Sequence, residues 1–270
     1  MAKTSHYYIR KFHRYFGLVL GIQFLFWTLG GLYFSWNDLD KVHGDHLRKE
    51  KRYLSAALFM VSPQVPLTHL KTNIQVDSLQ SIQLIEVVGV PTYQIRYFTS
   101  PEKRQPTHES NSHSAESLSS GIEKVQLANA MTGELRSPVS KKEALQIARN
   151  TVKEPAEVEK TEYLTQVGGH HEYREKPLPA WAITFREPAC TVYISAELGT
   201  FQAIRHNQWR RFDFLWMLHT MDYQGRDNIG NLLLKVFSLM GLLTVLSGFV
   251  LYYVSSPARR TSKKKSEVYR

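Results

Sequence analysis

A single cysteine, Cys190, is all the thiol chemistry in 270 residues. One cysteine makes no intramolecular disulfide, which excludes a small scaffold stapled by disulfides. Cys190 lies in a strand-like run and reads as a buried small apolar residue rather than a nucleophile. The chain also lacks G-x-S-x-G, H-E-x-x-H, a P-loop and a dinucleotide fingerprint. Those absences leave hydrolase, nucleotide and flavin or nicotinamide chemistry without a motif.

Charge is missing in two places. Residues 16–36, "FGLVLGIQFLFWTLGGLYFSW", hold none in 21 positions, and residues 236–254, "VFSLMGLLTVLSGFVLYYV", hold none in 19. About 20 apolar residues at 1.5 Å each cross the ~30 Å hydrocarbon core, so both runs predict membrane spans. The first run exceeds the ~7–15 apolar residues of a signal peptide and offers no small-residue cleavage site, so it reads as a retained anchor.

The net charge of +10 sits mostly at the ends. Lys3, Arg10, Lys11 and Arg14 give the N-terminal tail +4. Arg259, Arg260, Lys263, Lys264, Lys265 and Arg270 against Glu267 give the C-terminal tail +5, leaving +1 between them. Short basic flanks stay cytoplasmic, which predicts two cytoplasmic termini and an outer domain. The same distribution argues against nucleic acid as a partner, since no basic patch belongs to the folded middle. Membrane lipid is the partner the composition does imply.

Between the spans, residues 82–98 read as two β-rich runs broken near Gly89 and Pro91. Residues 99–121 are rich in Ser, Pro and charge and predict a loop. "IEKVQLANAMTGEL" resumes a strand and closes with a Thr-Gly turn. In "SPVSKKEALQIARN", Ser140 precedes Glu143 by three, a capping-box spacing, and Ala144, Leu145, Ile147 and Ala148 supply a helical apolar face. "AEVEKTEYLTQ", "PAWAITFRE" and "CTVYISAELGTFQAI" read as further strands, the last with a Leu-Gly turn inside. Aligned on their turns, "KVQLANAMTGELRSP" and "TVYISAELGTFQAIR" suggest two related α+β units, each an antiparallel sheet covered by a helix. The helix for the first unit is expected from "LSAALFMVS", residues 54–62.

"SKKEALQIARN", "VEKTEYL", "AWAITF" and "TVYISAELGTFQ" together resemble the PepSY domain pattern. That pattern has a D-x-x-T-G-like turn; here Glu197, Leu198, Gly199 and Thr200 stand in it, a departure in both residue and order. The ends resemble the PepSY-associated transmembrane family, with "FHRYFGLVLGIQFLFWTLGGLYF" like its first helix and "LHTMDYQGRDNIGNLLLKVFSLMGLLTVLSG" like its "lHtG" segment and last helix. The resemblance implies a membrane α+β protein, two transmembrane helices flanking an extracytoplasmic domain of two PepSY-like units. Its expected parts are a basic tail (1–15), a span (16–36), a first unit (37–137) with the polar loop 99–121, a second unit (138–207), an interfacial amphipathic segment (208–230), a span (231–254) and a basic tail (255–270). The resemblance further implies the bacterial inner membrane, with the domain in the periplasm. Larger four-helix relatives carry b-type haem or reduce iron-siderophores through intramembrane histidines, which implies electron transfer or iron uptake. Soluble PepSY domains are tied to protease inhibition and sensing, which implies a cofactor-free accessory protein instead. Whether the chain is an enzyme stays open.

Four histidines carry the haem alternative. His13 stands at the cytoplasmic end of the first run, followed by Gly17 and Gly21, and is read either as a haem ligand or as an interfacial residue that packs and meets headgroups. His219 stands among Trp209, Phe212, Phe214, Leu215, Trp216 and Leu218 before the second run, either an outer-side ligand or an interfacial anchor. A bilayer apart, those two cannot share one iron. Candidate partners for His219 are His43 and His46 in "DKVHGDH", three residues apart and able to face one way on a helical turn, with Asp222 as a supporting acceptor. Four helices would need two copies, so a homodimer or larger membrane complex is expected. His170 and His171 beside Gly168 and Gly169 read as loop polar residues.

Overall fold

The computed structural model describes residues 5–50, 53–100, 121–154 and 157–255. The predicted loop at 99–121 and the C-terminal tail thus lie almost wholly outside the described residues. Two compact units are formed, one by Met1–Val42 with Gln208–Arg270 and the other by His43–Asn207.

The first unit holds α1 (Ser5–Trp36), most of α5 (Asn207–Thr220) and α6 (Leu232–Ser255). Stretches Arg10–Trp36 and Leu232–Tyr253 are long and apolar enough to cross a membrane. At 1.5 Å per residue they reach roughly 40 and 33 Å, against a hydrocarbon core of ~30 Å. A core helix of a soluble protein would be mostly buried, whereas 17% and 6% of their most apolar windows are. Leu18, Ile22 and Leu25 on α1 and Leu239, Leu242 and Phe249 on α6 all stand exposed. A contiguous apolar surface of that size needs lipid or protein over it.

α1 and α6 meet through small residues. A Cβ on Gly241 would come 3.0 Å from Phe24, and one on Gly248 would come 3.5 Å from His13. Without a hydrophobic drive between helices in lipid, such close approach is what van der Waals packing uses. Gly17 and Gly21 meet nothing within 4 Å.

The second unit contains two four-stranded antiparallel sheets, each a meander in chain order. The first is β1 (Ser78–Val87), β2 (Val90–Thr99), β3 (Ile122–Asn129) and β4 (Leu135–Arg136); the second is β5 (Val158–Leu164), β6 (Ala180–Phe185), β7 (Cys190–Ser195) and β8 (Phe201–His206). Strand alternation sorts the side chains. Odd-numbered Tyr93, Ile95 and Tyr97 of β2 pack with Leu70 of α3 (Gln64–Asn73). Ile183 and Phe185 of β6 and Val192 and Ile194 of β7 pack with Ala144 and Ala148 of α4 (Lys141–Thr151), and Val87 and Leu127 of the first sheet join them. On the opposite face Ala180, Ala182 and Ala203 leave room for Tyr173, stacked on Tyr193 at 4.6 Å. Burial raises the Tyr173 hydroxyl well above its ordinary range, and it donates to the Pro177 carbonyl at 2.7 Å.

The capping box at α4 forms as read. Ser140 Oγ accepts from the Glu143 N–H, and the Glu143 carboxylate accepts from the Ser140 N–H at 2.9 Å. Burial pushes Glu143 up, but the Ser140 N–H and hydroxyl, with the Arg136 guanidinium, outweigh it and hold the carboxyl below its ordinary value. The helix over the first sheet departs from expectation. It is Gln64–Asn73, not residues 54–62, which contain no helix. Pro63 and Pro66 fall at the N-cap and in the first turn, where a missing N–H costs no intrahelical bond. Residues around Met60 and Val61 instead run along the β3–β4 turn, Val61 N–H donating to the Ala130 carbonyl at 2.9 Å. Gly133 in that turn has φ +80°, and a Cβ there would lie 2.6 Å from Val65. The β1–β2 turn puts both Val88 and Gly89 at positive φ, as a two-residue hairpin of the primed kind requires. The final strand-like run is two strands, β7 and β8, around the turn holding Gly199. Cys190 is buried in the α4-facing core.

Candidate functional site

His219 occupies the last turn of α5, which α1 holds by its end. The last four carbonyls of an α-helix have no intrahelical partner. Three of them here receive side-chain donors: Gln23 Nε2 to Leu218 O at 3.1 Å, Trp27 Nε1 to His219 O at 3.0 Å, and Asn231 Nδ2 to Thr220 O at 2.9 Å. This explains polar Gln23, buried in a span-length helix. Residues 208–230, expected as an interfacial amphipathic segment, hold most of a helix with Trp209, Asp213 and Thr220 buried, followed by a tightly bonded loop.

The His219 ring lies against Trp216 at 6.2 Å with the planes 13° apart, with Trp27 at 6.0 Å and Phe34 at 5.9 Å. Its Nδ1 is enclosed and has no hydrogen-bond partner among the described residues. A buried polar atom left so costs about 1–3 kcal/mol.

The loop after α5 is built on Asp222. Its carboxylate accepts from the backbone N–H groups of Asn228 (2.9 Å), Gly225 (3.1 Å) and Gln224 (3.3 Å). The Asn228 and Gly225 bonds, outweighing burial, pull the carboxyl below its ordinary value. Asp222 therefore anchors its own loop, and these bonds replace the supporting role toward an imidazole that its sequence position suggested. Arg226 pairs with Asp213, a carboxylate only 4% exposed.

His13 sits between the two long helices. Its Nδ1 lies 2.7 Å from Ser247 Oγ, which itself donates to the Thr244 carbonyl at 2.7 Å. Trp27, which touches His219, is fourteen residues further along α1, about 21 Å at helical rise. The two histidines thus cannot ligate one iron.

In the second unit His43 and His46 do not share a helical turn. The short helix α2 (Leu39–His43) stops at Gly44, whose φ is +86°, and a 3-10 turn Asp45–Leu47 follows. A Cβ on Gly44 would lie 3.1 Å from Ile204 of β8, so glycine permits both the turn and the contact. Two residues on along both segments, the rings of His46 and His206 are 5.3 Å apart. His206 escaped the sequence reading. Its only signal was parity with core-facing Ile204 in the β8 alternation. His46 also borders a cleft of about 640 Å³ whose walls include Lys153, Glu154 and Glu187. His43 is exposed, and His171 Nδ1 accepts from the Tyr173 N–H at 3.0 Å.

No family model, curated protein or solved structure matches the chain.

Proposed function

We propose that the chain is a PepSY-associated inner-membrane protein of the accessory or sensory kind. Its two long helices anchor it with both termini in the cytoplasm, and the double-sheet domain works in the periplasm by binding an extended peptide segment of a partner. The observation that carries this reading is the edge of β1. Among the described residues that ten-residue strand has β2 as its one strand neighbour. It contains a single charge, Glu86, and neither lysine nor proline, and past the irregularity at Leu79/Ser81 it runs regularly to Val87. An edge with one charge and no lysine or proline is a template for strand addition, where main-chain bonds give affinity. Hydrogen exchange in native membranes and on the purified chain tests this. Protection of β1 amides in membranes, lost on purification and lost in Leu84→Lys, is the expected result. Equal β1 exchange in both preparations contradicts it.

The enclosed Nδ1 of His219 favours a second reading, a b-type haem component of electron transfer or iron uptake. The ring's described neighbours are Trp27, Phe34 and Trp216, so His219 would be the residue that holds the haem here. Haem would supply one-electron chemistry. A low-spin spectrum in purified protein, abolished by His219→Ala and retained in His170→Ala, would establish this reading. A dithionite-reduced spectrum without haem bands would reject it.

A further inference from the structure

The rings of His46 and His206 lie 5.3 Å apart with their planes tilted by 41°, inside a single unit, and His46 borders a cleft. Two imidazoles bound to one tetrahedral metal, with metal–nitrogen bonds of ~2.0–2.1 Å, place their ring centroids about 5 Å apart. The observed separation is 5.3 Å. The pair is held by structure on both sides. His206 ends β8 and is 7% exposed, while His46 is fixed by the 3-10 turn that Gly44 starts against Ile204. Behind that turn, Leu47 and Lys49 bond to the strand-like end of α4: Lys49 N–H donates to Thr151 O at 2.8 Å, and Lys153 N–H donates to Leu47 O at 2.9 Å.

We propose that His46 and His206 form a two-imidazole site for a divalent first-row transition metal, Cu(II) ahead of Zn(II). The inference is independent of what β1 binds. Imidazole suits both metals, and the affinity order of nitrogen sites puts copper above zinc. Among the described residues no group of three His, Cys, Asp or Glu side chains could hold a metal ion. The described residues thus supply two ligands, and the cleft that His46 borders leaves room for water or a small exogenous ligand at the other positions. An open coordination position marks a site for exchange or chemistry rather than a structural one. The walls favour a cation modestly, with Glu154 and Glu187 against Lys153. Both ligands bind as neutral imidazoles.

The test is titration of the metal-free full chain in detergent with Cu(II) and Zn(II) chloride, with Cu(II) electron paramagnetic resonance as the structural readout. One saturable equivalent of Cu(II) with hyperfine coupling to two imidazole nitrogens is expected. His46 is exposed, so His46→Ala keeps the fold; it should lower affinity at least about tenfold, the smallest loss seen when even supporting groups around a metal are removed. His206→Gln should do the same, whereas His43→Ala and the double variant His170→Ala, His171→Ala should titrate like the parent chain. Absence of a saturable equivalent, or an unchanged His46→Ala titration, overturns the assignment.

Discussion

The indole Nε1 of Trp27 donates to the backbone carbonyl of His219 at 3.0 Å, so a side chain of the apolar helix α1 closes the C-terminus of α5. Gln23 does the same for Leu218 one turn earlier along α1. An individual bond of this kind contributes roughly 0.5–1.5 kcal/mol. Trp27→Phe and Gln23→Leu keep the shape and remove the donor. Each should raise hydrogen exchange across residues 217–231 severalfold without changing exchange in the second unit. Exchange unaltered in both variants would mean that these donors do not hold α5.

Asp222 gives the same region a pH dependence. Its folded-state pKa is lowered by bonds from Asn228 and Gly225, while an unfolded aspartate titrates near 3.9. The native loop therefore binds fewer protons than the unfolded one. Its stabilisation is complete above about pH 4 and is lost as pH falls through the depressed folded value. Acid opening of residues 221–231, followed by proteolysis at decreasing pH, should occur below pH 4 in the parent chain. Asp222→Ala should open the loop already at neutral pH.

The glycines separate contacts within the chain from contacts between chains. Gly241 lies against Phe24, so Gly241→Leu should weaken the pairing of α1 with α6 and lower thermal stability in detergent. Gly17 and Gly21 have nothing within 4 Å and sit four residues apart, the spacing that lets two helices approach closely in lipid. If the chain dimerises through that face, Gly17→Leu should yield monomer by crosslinking while leaving thermal stability unchanged. A Gly17→Leu dimer indistinguishable from the parent would remove this face as the contact.

The sequence made local and compositional features legible. Crossing lipid demands charge-free length, which is visible without a structure, and the Ser140–Glu143 box is a contact of four residues that the spacing encodes. The strand run "AWAITF" was likewise visible, whereas which of its residues face α4, Ile183 and Phe185 rather than Ala180 and Ala182, comes from the fold. What stayed hidden depends on tertiary placement. Pro63 and Pro66 fall where a helix start tolerates them, so α3 begins beyond the expected residues 54–62. Gly44 read as one residue of a histidine-bearing turn, whereas its missing side chain is what admits Ile204 and brings His46 to His206. Asp222 read as support for a nearby ring because spacing along a helix was assumed; Met221 at φ +54° ends the helix and turns the carboxylate into its own loop.

Topology tests the central claim, a two-span protein with its double-sheet domain outside the cytoplasm. Paired reporters, one fused after Arg270 and one inserted at Ser110, read the side of the membrane directly in cells. The account predicts cytoplasmic activity for the first and periplasmic activity for the second, with the chain resisting alkaline extraction from membranes. Both reporters on one side, or release of the chain by alkali, would contradict it.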